Sequence, residues 1–179
     1  MAAVASRYAR AFVDVVFDMK LDTNKVLEDL RSVLGLLKGS PELKTVWENP
    51  SIPPEQKRHL LDAIVARVGI QRQARNFMAV LIDHHRISML AEIAKQVEHQ
   101  IHEQMGLAEA EVISARELSE SERREVELQI MNITGKRALA TYTIDSHLIG
   151  GATVRIGSTI YDGSVRGQLQ RIREQLAGS

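Results

Sequence analysis

Six histidines, a run of clustered glycines and one Gly-Lys pair are the residues whose types and spacing could do chemistry in this chain. His99 and His102 stand three apart, which on a helix puts both rings on one face, a spacing that can hold a metal ion. No third ligand is near them in sequence, because His59, His84, His85 and His147 lie elsewhere. The adjacent pair His84 and His85 would point about 100° apart on a helix, a poor arrangement for joint ligation. The apolar stripe around them runs through Val97 and Ile101, which leaves His99 and His102 on the solvated flank. With no cysteine in the chain, thiolate catalysis, disulfides and cysteine metal sites are excluded.

The glycines crowd into "SHLIGGATVRIGSTIYDGSVRGQLQRI", residues 146–172. A phosphate-gripping loop needs a glycine-rich run that feeds Lys and Ser or Thr into a helix start. "TGKRAL" supplies Gly135 and Lys136, but Met131 stands at a helical position upstream where such a loop needs flexibility. "LIGGATVRIG" lacks a lysine and the Gly-x-Gly-x-x-Gly order, and it lies between strands instead of leading into a helix. These glycines therefore read as structural. Gly150 and Gly151 permit an unusual backbone before a strand, Gly157 a tight hairpin, and Gly163 a turn into a last helix. Asp162 or Ser164 is placed to cap that helix. The serines fall at caps and turns without a Gly-x-Ser-x-Gly elbow. The carboxylates sit on polar helix faces with no pair set apart as acid and base. No catalytic, metal or cofactor site is expected.

The elements that position these residues change period once. Up to about residue 105 the spacing is helical. Tyr8, Ala11, Phe12, Val15, Val16 and Met19 form one stripe, and Val26, Leu30, Val33, Leu34 and Leu37 form another. Ser40 and Pro41 open a short helix, and Leu60, Leu61, Ile64, Val65 and Val68 line the next, which Gly69 ends. "QARNFMAVLIDHH" and "SMLAEIAKQVEHQIHEQM" give two more. After Gly106, "LAEAEVIS" alternates as a strand, and "SESERREVELQIMNITG" opens with a Ser119/Glu122 capping box. "KRALATYTID", "GATVRIG" and "STIYDG" read as strands, and "SVRGQLQRIREQLAG" as a closing helix. The expected fold is mostly α: an N-terminal six-helix bundle, residues 1–105, followed by a small C-terminal α/β domain, residues 106–179.

The 179 residues are 44% hydrophobic and 26% charged, with formal net charge zero. This is a globular composition without the broad positive field of a nucleic-acid binder. Charge does not separate the halves: 14 basic and 13 acidic residues up to 105, then 9 and 10. No run of apolar residues is long enough to span a bilayer, and Asp14 and Asp18 argue against reading the opening helix as a removed presequence. On residues alone the chain reads as a helical binding module. A nucleic-acid adaptor would rest on "EQKRHL" and "ERREVELQIMNITGKR", whose basic residues are diluted by glutamates. A small enzyme would need a composite site that spacing does not reveal.

"SRYARAFVDVV", "NPSIPPEQKRHLLDAI", "FMAVLIDHHRISMLAEI", "VISARELSESE" and "IDSHLIGGATVRIGSTIYDGSVRGQLQRI" together resemble, in order and over essentially the whole chain, the delta subunit family of F-type ATP synthase. Its mitochondrial members are the oligomycin-sensitivity-conferring proteins. The resemblance implies a non-catalytic stator subunit that joins the α₃β₃ head to the peripheral stalk, so that proton-driven rotation is coupled to ATP synthesis. It implies that the helical bundle receives the N-terminal helix of an α subunit and the C-terminal domain meets the distal end of b. It also implies no cofactor, no nucleic acid and no direct insertion into the bilayer. The location it implies is peripheral, on the cytoplasmic side of a bacterial cell membrane. Tyr8, Ala9, Ala11 and Phe12 match the family's opening helix beside the α-binding side, and Arg86 matches the arginine before the sixth helix. Gly150, Gly151, Gly157, Asp162, Gly163 and Ser164 match its C-terminal signature. His85 replaces the asparagine common before that arginine.

Overall fold

The structure, a computed structural model, describes residues 2–148 and 150–162. Six α-helices come first: α1 Ala2–Asp18, α2 Thr23–Gly39, α3 Pro41–Glu48, α4 Pro54–Val68, α5 Arg72–Asp83 and α6 Leu90–Gln104, with a 3₁₀ turn at Ile87–Met89 before the last. Strand β1 Leu107–Ser114, helix α7 Glu120–Thr134 and strands β2 Arg137–Ile144, β3 Ala152–Ile156 and β4 Thr159–Asp162 follow. A helical bundle followed by a small α/β domain is therefore the fold class. The chain divides into two compact units between Ile101 and His102.

Local chemistry sets the helix ends. The Asp22 side chain accepts from the backbone N–H groups of Asn24 and Lys25 and so caps α2. Ser40 both ends α2 and caps α3, accepting from Leu43 N–H with Pro41 at the first helical position. Pro54 opens α4, and Gly69 closes it at φ +78, a left-handed conformation that costs glycine little.

In the first unit the inward positions of the helices share one core. Ala5, Ala9, Phe12, Val13 and Val16 of α1 pack with Val26, Leu30 and Val33 of α2, Trp47 of α3 and Leu61 of α4. Ala74, Phe77, Met78, Leu81 and Ile82 of α5 and Leu90, Ile93, Val97 and Ile101 of α6 complete it. Each fully buried Leu or Ile among these contributes about 1.5–3 kcal/mol relative to exposure. Four positions depart from the stripes read in the sequence. Ala11, Val15 (41% exposed), Met19 (55%) and Val68 (40%) are apolar at helical spacing yet stand outside the core. The histidine pair also departs, because α5 stops at Asp83. His84 is its C-cap and His85 takes φ +54, so the two rings do not sit on a helix.

The second unit is a four-stranded sheet in the order β2-β1-β3-β4. β1 and β2 are parallel, as expected of strands joined through a crossover helix, here α7. β3 lies antiparallel to β1 on the other side, and β4 pairs back on β3 through a hairpin at Gly157, φ +59. On one sheet face Ala108 and Ala110 are buried against Ile130 of α7, with Val126, Ala138, Val154 and Ile156 around them. The alternation read in "LAEAEVIS" is this face. The Ser119/Glu122 capping box of α7 forms in full. The closing helix expected from residue 164 lies outside the described residues.

Candidate partner-binding groove

A groove of about 620 Å³ runs along the seam of α1 and α5 in the first unit. Tyr8, Ala11, Phe12 and Val15 of α1 and Met19 just after it line one side, and Arg72, Gln73, Asn76, Phe77 and Val80 of α5 the other. The α1 residues recur every three or four positions, so they form one stripe about 17 Å long at 1.5 Å per residue. Its floor is the stacked pair Phe12 and Phe77, ring centroids 4.1 Å apart and planes within 7°. Both rings are nearly buried, so they belong to the core and the groove at once. Tyr8 is half-buried at one end, its ring centroid 6.4 Å from that of His84. Ala11 is exposed, and its single methyl leaves open the space a larger side chain would fill.

Apolar surface this contiguous stays wet only at a cost, so Val15, Met19 and Val80 favour a partner that removes them from water. A long apolar trough between two helices, with a few polar groups on one edge, is the shape that accepts the apolar face of an amphipathic helix. The polar edge is Arg72, Gln73 and Asn76. Its lining residues include no carboxylate, histidine or serine.

Two buried or forked contacts hold α5 in place as the groove's second wall. Asp29 of α2, only 2% exposed, accepts from Gln71 N–H at 2.9 Å and pairs with Lys25 Nζ at 3.2 Å. Gln71 is the N-cap of α5 and makes no side-chain cap; Asp29 satisfies its backbone N–H, one of the unpaired donors at this helix start. The hydrogen bonds to Glu28 and then Asp29 raise the Lys25 pKa. On α4, Asp62 accepts both Arg75 Nε at 2.7 Å and Arg75 Nη2 at 2.9 Å, a bidentate pair. That hydrogen bonding holds the Asp62 carboxyl below its usual range. Arg75 Nη1 also donates to Asn76 Oδ1 at 3.4 Å, which ties a groove residue to the clamp.

Of the residues singled out in the sequence, the groove gathers Tyr8, Ala11 and Phe12, while Ala9 is fully buried behind them in the core. Arg86 is exposed, starts the 3₁₀ turn and does not line the groove. Gly150, Gly151, Gly157 and Asp162 belong to the second unit, with Gly151 at φ +78 and Gly157 at the hairpin. Gly163 and Ser164 lie outside the described residues. His102 Nδ1 meets Glu109 Oε1 at 2.5 Å. No group of three or more His, Asp or Glu side chains gathers among the described residues, nor is any helix there long and apolar enough to cross a membrane. Sequence reasoning did not single out Val15, Met19, Arg72, Gln73, Asn76, Phe77 or Val80 as site residues. Val15 and Met19 carried a signal, as members of the apolar stripe that begins at Tyr8.

A family model described as ATP synthase delta (OSCP) subunit matches residues 4–176. The chain is 48% identical over 179 residues to the ATP synthase subunit delta of Koribacter versatilis (strain Ellin345), covering 100% of both chains. It is 38% identical over 177 residues to that of Acidobacterium capsulatum, covering 99% of each. Its fold is shared with a chain of the cryo-EM structure of the Toxoplasma gondii mitochondrial ATP synthase hexamer, with TM-score 0.66, 22% identity and 97% of each chain covered. By the family match and these end-to-end relatives, the chain belongs to the ATP synthase delta (OSCP) subunit family.

Proposed function

We propose that this chain is a non-catalytic stator subunit of a rotary ATP synthase, joining the α₃β₃ head to the b-subunit peripheral stalk. In this role it resists the torque that the turning rotor applies to the head, so proton flow drives ATP synthesis. The first unit receives the N-terminal helix of an α subunit and the second meets the C-terminal region of b. The chain is peripheral to the cell membrane on its cytoplasmic side, held there through the complex. It works without a cofactor.

The observation that carries this reading is the α1–α5 groove, whose apolar stripe from Tyr8 to Met19 matches the length and character of an amphipathic helix face. Membership of the family makes an ATP synthase the assembly in which that helix is found. Several such contacts engaged together raise effective affinity by about 10²–10⁴, which a torque-bearing link requires.

The test is co-purification. The full-length chain, immobilised, is offered purified α₃β₃ head and, separately, b subunit. It is expected to retain both, and Val15→Asp, which puts a charge into the groove, is expected to lose the head while keeping b. Retention of neither, or a Val15→Asp chain that holds the head as well as before, contradicts the reading.

A further inference from the structure

A second cavity, of about 440 Å³, lies within the first unit between the end of α2, the length of α3 and the start of α6. Its body is apolar, built by Leu34, Leu37, Trp47 and Leu90, and its rim carries Lys38 and Lys44. Both lysines are exposed and neither is paired with a carboxylate among the described residues. Glu48 is the one carboxylate in the lining, so the rim keeps a net positive charge. The first residues of the fifteen-residue helix α6, Leu90 and Ala91, also line it, adding the positive end of a helix dipole.

Trp47 also lines this cavity. Trp47 is 1% exposed, and its indole Nε1–H has no acceptor among the described residues. A buried N–H without an acceptor costs about 1–3 kcal/mol. Size decides between a small molecule and a helix. The cavity falls in the roughly 300–1,000 Å³ range of small-ligand sites. Its longest wall, the eight residues of α3, runs only about 12 Å at 1.5 Å per residue, too short to seat several turns of a partner helix.

We propose that this cavity binds a small amphipathic anion: an alkyl body in the apolar pocket and a single carboxylate at Lys38 and Lys44. The carboxylate accepts from one or both ammonium groups, and the alkyl body replaces water along the half-buried Leu34 and Leu37. The site is separate from the α1–α5 groove, with which it shares no lining residue, and does not rest on the stator reading.

Trp47, the chain's single tryptophan, lines this cavity, so its emission serves as a reporter of binding. The full-length chain is titrated with decanoate below its micelle-forming concentration, beside decanol and decyltrimethylammonium as neutral and cationic probes of the same chain length. A saturable one-to-one change is expected with decanoate, and binding at least about tenfold weaker for the other two. The Lys38→Gln/Lys44→Gln double variant is expected to weaken decanoate by a similar factor. Ala91→Phe, a substitution at an exposed lining position, is expected to abolish the response by filling the space, with circular dichroism verifying the fold of both variants. No saturable change with decanoate, equal affinity for the three head groups, or unaltered binding in either variant overturns the proposal. So does a response obtained only with an acidic helical peptide.

Discussion

Glu122 shows how much a single exposed carboxylate can be tuned by its neighbours. Its carboxylate accepts from Arg116 through both terminal nitrogens, at 2.6 and 3.0 Å, and from the Ser119 backbone N–H at 2.9 Å. The Arg116 contact first, and the Ser119 contacts after it, hold the Glu122 pKa down to about 2 from an ordinary value of 4.5. A folded-state pKa below the unfolded one means the contribution to stability is fully present above about pH 4.5. It is lost as pH falls toward 2. A carboxyl-carbon NMR titration is expected to place the Glu122 midpoint near 2 and to return it toward 4.5 in Arg116→Gln; an ordinary midpoint in the unmodified chain contradicts the arrangement. Ser119 and Glu122 were legible in the sequence because a capping box is a three-residue relation. Arg116 was not, because its reach across the turn depends on the backbone between β1 and α7.

Among elements, the position of α5 decides whether the groove exists. Asp29 illustrates why this was hidden in the sequence. It occupies an ordinary acidic position in α2, and its partner Gln71 lies 42 residues away. Nothing in the spacing of α2 marks it as buried. Asp29→Ala removes the acceptor for Gln71 N–H at the start of α5 and is expected to lower unfolding free energy by about 1–2 kcal/mol. Asp29→Asn keeps a carbonyl that can accept the same bond and is expected to lose less. Urea denaturation of the two variants measures this; an Ala variant as stable as the parent contradicts the capping role. The α1 stripe makes the same point from the other side. Periodicity put Tyr8, Ala11, Phe12, Val15, Val16 and Met19 on one helical stripe, and all but Met19, which follows the last residue of α1, are helical in the structure. It could not separate Val16, which is buried, from Val15, which is open, because that depends on where α5 comes to rest sixty residues later.

For the whole molecule, the succession of helical and alternating segments was enough to read a bundle followed by an α/β unit, since each period is set locally. The groove, by contrast, is a tertiary product of two helices far apart in sequence. A chain with formal net charge zero has no global field to recruit a partner. The claim at the centre of this picture is that the α1–α5 groove takes the N-terminal helix of an α subunit. Titration calorimetry of the full-length chain with a synthetic peptide of that segment tests it most directly. Saturable one-to-one binding is expected, with a negative heat-capacity change from apolar burial. Only weak salt dependence is expected, along with a loss of at least about tenfold in Val15→Asp at unchanged Tm. No binding to a folded chain, or equal binding to the Val15→Asp variant, would show that the groove is not the α site.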